Sequence, residues 1–235
     1  MRVTPGAAAS GRSLRAVRSF VRREGRLTAA QGRALLALGD SYLVPPVDRP
    51  IDLRGLFRRS APCHVEIGTG NGDLLLALAE EHPENDYLGV EVHRPGIGNL
   101  LLRASRKQLA NVKVICRDAA DALAIQLPEG GIECVYLFFP DPWPKRRHHK
   151  RRLLQPAFAA TLRRKLRPHG RLFIATDWDD YAHHLWEVME VAPGFVNLAG
   201  PAMAAPRPLW RPVTRYEQRA LGAGRAIHDF VYGCV

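Results

Sequence analysis

At residues 65–72 the chain reads Val65-Glu66-Ile67-Gly68-Thr69-Gly70-Asn71-Gly72, a short apolar run that breaks into glycine at every second position. Cys63 and His64 open a strand just before it, and a helix is expected over 72–81 just after it. Glycine suits such a junction because the backbone has to turn sharply and let a ligand approach closely. Outward from this turn, apolar strands alternate with helical stretches. Strands are expected at 63–67, 86–91, 112–116, 132–139, 171–176 and 226–232. Helices are expected near 96–110, 119–126, 151–166 and 179–191, with Pro168-His169-Gly170 as a turn. A further helix fits residues 28–44, carrying Ala34, Leu35 and Leu38 and closed by Gly39 and Pro45-Pro46. The alternation predicts an α/β fold, a doubly wound sheet with helices on both faces.

The 235 residues suffice for one such domain, placed at 26–235 behind a flexible basic arm at 1–25. A hydrophobic fraction of 46% fits a chain that buries a core. No apolar run approaches the ~20 residues that span a bilayer, so no membrane partner is expected. The four cysteines, Cys63, Cys116, Cys134 and Cys234, are scattered and form no C-x-x-C pair. That argues against a disulfide framework and fits a cytoplasmic location. His148-His149 and His183-His184 are adjacent pairs whose side chains diverge, so no metal is expected.

Charge narrows the partner. The chain carries 34 Lys+Arg against 23 Asp+Glu, a net +11, which points to a polyanion. Arg2, Arg12, Arg15, Arg18, Arg22 and Arg23 all precede the first acid, Glu24. An organellar transit peptide is an alternative for this start. The second cluster, at 145–152, puts six fixed positive charges in eight residues: Lys145-Arg146-Arg147-His148-His149-Lys150-Arg151-Arg152. Such a run is not expected in a core, and phosphate is the natural anion for it. A nuclear-localisation signal is the other reading, disfavoured by its place between strand and helix.

Three acids fall where parallel strands end. Glu91 lies about 20 residues past the glycine turn, where a carboxylate accepts hydrogen bonds from ribose hydroxyls. The spacing G-x-G-x-G lacks the third glycine of a dinucleotide site. Glu66 would repel a pyrophosphate, yet it suits a sulfonium-bearing amino acid. Asp118, ending the third strand, is placed for the exocyclic amine of an adenine. Glu91 and Asp118 also fit a plainer role as helix N-caps. The fourth strand runs on into Phe138-Phe139-Pro140-Asp141-Pro142-Trp143-Pro144, whose prolines are expected to hold an extended loop with an acid and an indole at its tip.

The glycine turn with its acids resembles the class I methyltransferase family. The resemblance implies a Rossmann-like sheet of seven strands, mostly parallel with an antiparallel strand near the C-terminal end, and S-adenosylmethionine as methyl donor. The stretch Phe138 to Trp143, followed by Lys145, His148, Lys150, Arg151 and Arg152, is similar to the bacterial tRNA (guanine-N7)-methyltransferase family. Arg18-Ser19-Phe20-Val21-Arg22-Arg23, Gly25-Arg26-Leu27-Thr28, Gly89-Val90-Glu91-Val92-His93, Ala175-Thr176-Asp177-Trp178 and Arg211-Pro212-Val213-Thr214-Arg215-Tyr216-Glu217 complete the set. The likeness runs from about residue 18 to the C-terminus.

That family implies tRNA as partner and guanosine 46 of its variable loop as target. It assigns cofactor contacts to Glu66, Glu91, Asp118 and Asp141, beside Gly68, Gly70 and Gly72 of the turn. Asp141 is also the catalytic position, and Lys145, Asp177, Thr214, Arg215, Tyr216 and Glu217 are substrate-binding positions. Arg147, Lys150, Arg151 and Arg152 are then expected to contact RNA phosphates. Thr69 and the stretch before residue 12 depart from the pattern. Two other readings stay open: an amino-methyltransferase acting on adenine or cytosine, and a non-catalytic RNA-binding protein on the same fold. The oligomeric state is not legible.

Overall fold

The structure is a computed structural model and describes residues 25–235. The expected basic arm, Gly25 apart, and the Arg18-to-Arg23 motif lie outside the described residues. Thr28 opens α1 (Ala29–Ala37) with a capping box shared with Gln31. Then come α2 (Gly39–Tyr42), β1 (Leu43–Val44) and α3 (Leu53–Phe57), the last capped by Asp52. The glycine turn joins β2 (Cys63–Ile67) to α4 (Asp73–Glu81), and β3 (Asp86–Glu91) leads into α5 (Arg94–Arg106). After β4 (Val112–Cys116), α6 (Ala119–Asp121) widens into a π-helical turn at Ala122–Gln126.

The second half begins with β5 (Ile132–Phe138) and a 3-10 turn at Arg146–Arg151. It continues through α7 (Pro156–Lys165), β6 (Leu166–Thr176), α8 (Asp179–Glu190), β7 (Phe195–Asn197), α9 (Arg215–Gly222) and β8 (His228–Cys234). The strands form one sheet in the order β1-β4-β3-β2-β5-β6-β8-β7. Neighbours are parallel from β1 to β6, and β8 runs antiparallel to both β6 and β7. The expected mixed sheet is present, with β1 added as an eighth, edge strand.

Alternation along the strands sends side chains to two buried layers. One face carries Val65, Ile67, Leu88, Val90, Leu172 and Ile174 against α7 and α8. The other carries Tyr87, Val112, Val114, Tyr136 and Phe173 against Leu74 and Leu78 of α4 and Leu100 and Leu101 of α5. Truncating a fully buried leucine such as Leu100 to alanine costs about 2–5 kcal/mol. Cys63, Cys134 and Cys234 lie in this core as thiols, while Cys116 is exposed. No helix among the described residues is long and apolar enough to cross a membrane.

Several boundaries differ from the sequence reading. The helix expected over 28–44 breaks at Leu38, and its end becomes α2 and β1. The helix expected from 151 begins only at Pro156, whose missing N–H suits a first turn. Pro168-His169-Gly170 is a bulge inside β6 rather than a turn before it. Pairing jumps from Ile132 opposite Leu166 to Cys134 opposite Arg171, and His169 takes φ 64°. A proline cannot donate to a ladder, so the strand bows out there. Short α3, β1, β7 and α9 were not anticipated.

Candidate active site

The strand order reverses direction of growth between β2 and β5, and the candidate site opens beyond the strand ends there, where α/β sheets hold ligands. A cleft at this point is lined by Gly68, Glu91, Phe139, Asp141 and Leu153, among others. Donor-side and acceptor-side residues therefore face one space. Gly68 and Gly70 have φ of 82° and 53°, left-handed values that explain glycine, and a Cβ on either meets no atom within 4 Å. Gly72 answers to packing as well, since its Cβ would stand 2.6 Å from Leu100 Cγ.

Glu91 fixes this turn. Its Oε2 accepts from the Gly70 N–H at 2.8 Å, and its Oε1 accepts from Val92 and His93 at 2.7 and 2.8 Å. A carboxylate has about four acceptor sites, so one remains for a ligand hydroxyl. Asp118 is the N-cap of α6, its Oδ1 accepting from Ala120 at 2.9 Å and Asp121 at 3.2 Å. The plainer capping role is thus real. Its neighbours Arg117 and Ala119 line the cleft.

Glu66 is the unusual member. It is 6% exposed, and among the described residues its Oε2 has no hydrogen-bond partner. Burial pushes its carboxyl up to about 8, the Glu91 charge adds to this, and the Leu75 N–H works against it. An orphaned acid beside open glycines asks for a cationic ligand. These features fit a ligand with a cationic end and hydroxyl donors, as S-adenosylmethionine has.

On the acceptor side the loop after β5 is not extended as expected. Phe139 and Trp143 take φ of 51° and 49°, so left-handed residues bracket Pro140-Asp141-Pro142. Such strain outside glycine gathers where a scaffold holds a functional loop. It bends the chain so that Asp141 reaches the cleft. The Arg151 guanidinium covers one face of Trp143 at 4.9 Å, and His148 meets the indole edge-on at 5.8 Å between ring centres.

The basic tract divides. Lys145, Arg146, Arg147 and Lys150 are exposed on the 3-10 turn, in keeping with a phosphate-facing surface. Arg151 is half-buried against the indole. Arg152 corrects the sequence reading: its side chain is 1% exposed and cannot meet a phosphate. It donates to Pro142 O at 3.0 Å and to the Asp180 carboxylate, and lies 5.0 Å over the Tyr181 ring.

The remaining substrate positions also separate. Asp177, at the end of β6, accepts from Arg225 Nε at 2.8 Å and keeps 22% side-chain exposure. Thr214 caps α9, accepting from the Glu217 N–H at 3.2 Å, while Arg215 and Tyr216 are exposed. Glu217 corrects a second expectation. Its side chain is 1% exposed and accepts from Arg207 at 2.6 Å and Arg211 at 3.2 Å, so it is not open to a base. Arg211 is fully buried, holds Asp229 at 2.7 Å and covers Phe138 at 4.9 Å. Sequence reading missed Arg207, Arg225 and Asp229; Arg211 was at least within a quoted motif. Among the described residues no group of three or more His, Cys, Asp or Glu could hold a metal.

A family model described as "Putative methyltransferase" matches residues 60–230. The fold is similar to that of the 16S rRNA methyltransferase KamB, with a TM-score of 0.59 at 13% identity over 83% of this chain and 98% of that one. A SAM-dependent methyltransferase from Aquifex aeolicus gives 0.52 at 13% identity, covering 74% and 82%. The tRNA (guanine-N(7)-)-methyltransferase of Alkalilimnicola ehrlichii is 50% identical over 96% of this chain and 94% of its own. That of Alcanivorax borkumensis is 45% identical over 95% and 93%. With identity at this level across nearly all of both chains, the protein belongs to the tRNA (guanine-N(7)-)-methyltransferase family.

Proposed function

We propose that the protein methylates N7 of guanosine 46 in the variable loop of tRNA, with S-adenosylmethionine as donor. One observation carries the reading: the cleft lined by Gly68 and Glu91 is also lined by Asp141, and Glu66, two residues before Gly68, has a buried carboxylate oxygen with no partner among the described residues. The names of the relatives support tRNA and guanine as substrate; position 46 rests on the resemblance in sequence motifs.

The chemistry asks little of a general base. Guanine N7 carries an in-plane lone pair and no proton, so attack needs approach and alignment above all. When bound, S-adenosylmethionine supplies an electrophilic methyl on a cationic sulfur. The product base is cationic, and Asp141 is the carboxylate set to stabilise charge developing on the purine. Asp177 accepts from guanine N1–H and N2–H₂, donors that adenine lacks at those positions. Glu217, closed in by Arg207 and Arg211, shapes the segment that presents Arg215 and Tyr216. Lys145, Arg147 and Lys150 anchor phosphates and set the register of the RNA.

The test is direct. Purified protein is incubated with methyl-labelled S-adenosylmethionine and unmodified tRNA, and the modified nucleoside is identified and mapped. Label in 7-methylguanosine at position 46 is expected. Label in 6-methyladenosine or a methylcytosine, or none with cofactor binding intact, would overturn the reading.

A further inference from the structure

Arg152 closes a basic tract in which Lys145, Arg146, Arg147 and Lys150 are exposed, yet it is buried beneath the loop that carries Asp141. We infer that Arg152 is a positioning residue that locks the Asp141 loop to the start of α8. The inference rests on the proposed methyl transfer for its kinetic consequence, but not for its structural content.

The guanidinium has planar donors spread over one fork, and here Nε serves the loop while both terminal nitrogens serve the start of α8. Nε donates to Pro142 O at 3.0 Å, Nη1 reaches Asp180 O at 3.4 Å, and Nη2 meets the Asp180 carboxylate and lies 3.1 Å from His149 Nε2. Its carbon stands 5.0 Å above the Tyr181 ring, which closes the other side. Pro142 O belongs to the peptide that enters Trp143, the residue held at φ 49°. Fixing that carbonyl fixes the plane of the strained peptide and, one residue back, the direction of Asp141. Asp180 and Tyr181 are only three and four positions past Asp177. One buried cation therefore sets the two proposed guanine-facing carboxylates in a common frame. The strand ladder reaches only to Phe139, whose N–H donates to Ala175 O at 2.8 Å, and Pro140 and Pro142 have no N–H to give.

The experiment compares wild type with Arg152→Met, Arg152→Lys and Asp180→Asn, in kinetics, tRNA binding and hydrogen exchange. Arg152→Met is expected to lose about tenfold or more in kcat, with KM for S-adenosylmethionine within about twofold. Arg152→Lys, which keeps the charge but not the fork, and Asp180→Asn, which removes one anchor, are expected to fall between. The salt dependence of tRNA binding should keep its slope in all three, whereas a lost phosphate contact lowers it by about one. Hydrogen exchange across 139–147 should quicken while that of β2 and β3 stays as in wild type. Exchange in 139–147 equal to wild type, a kcat preserved in both Arg152 variants, or a salt slope reduced by one would each overturn the inference. Should Arg152→Met fail to fold, the other two variants carry the same readouts. If wild type itself forms no 7-methylguanosine, the functional reading fails, and loop exchange alone then decides the role of Arg152.

Discussion

Glu66 is placed where a negative charge is hardest to keep. Its carboxyl, raised from an ordinary 4.5 to about 8, holds its proton across neutral pH in the ligand-free protein. The sign of the linkage follows: between those two values the folded state binds more protons than the unfolded one, so stability falls as pH rises. Denaturation of wild type and Glu66→Gln at pH 5, 6.5 and 8 should show this decline in wild type and remove its Glu66 component in the variant. Parallel curves would refute it. A bound cation reverses the preference, so affinity for S-adenosylmethionine should strengthen toward pH 8 with proton release. Calorimetry in buffers of different ionisation enthalpy measures that release, and Glu66→Gln should abolish it. At Asp141 the expected effect is kinetic. Asp141→Asn and Asp141→Ala should lose about 3–4 kcal/mol of transition-state stabilisation. Activity within about threefold of wild type, under ~1 kcal/mol, excludes the electrostatic role.

Elements differ in how far their sequences announce them. β2, β3, β4 and β5 were legible as apolar runs of strand length, which a sheet buried on both faces demands. α9 was not, because residues 211–217 were read as a motif with no element assigned; Thr214 supplies the cap and Glu217 is buried between two arginines. The same blindness hid Arg152. Six charges in eight residues look solvated, and nothing local reveals that the last turns inward onto Pro142 and Asp180. Glu91 could be singled out from its spacing to the glycine turn, whereas the acceptor-side ion pairs join residues at separations from 6 to 48 positions that no motif marks. Those pairs make a prediction at this scale. Arg211→Met leaves Asp229 buried without its cation, a change that costs about 3–5 kcal/mol. Urea denaturation with a loss below ~1 kcal/mol would show the network to be dispensable.

At the level of the whole molecule, an excess of 11 positive charges governs how RNA arrives. Neutralising Lys145, Arg147 and Lys150 together should weaken binding to all tRNAs and flatten its salt dependence by roughly one unit per contact. Filter binding across a salt series checks this, and an unchanged slope would make the exposed tract a bystander. The reversal of strand order between β2 and β5 reaches further. Asp141 apart, which the resemblance assigns to both partners, the residues proposed to grip the methyl donor come from chain before residue 122, and those proposed to grip the base come from chain after residue 131. Methyl supply and base choice are therefore written in largely separate stretches of the gene. Chimeras joined near Gly130 between members of one fold should inherit their target nucleoside from the second parent, leaving donor recognition as a portable half.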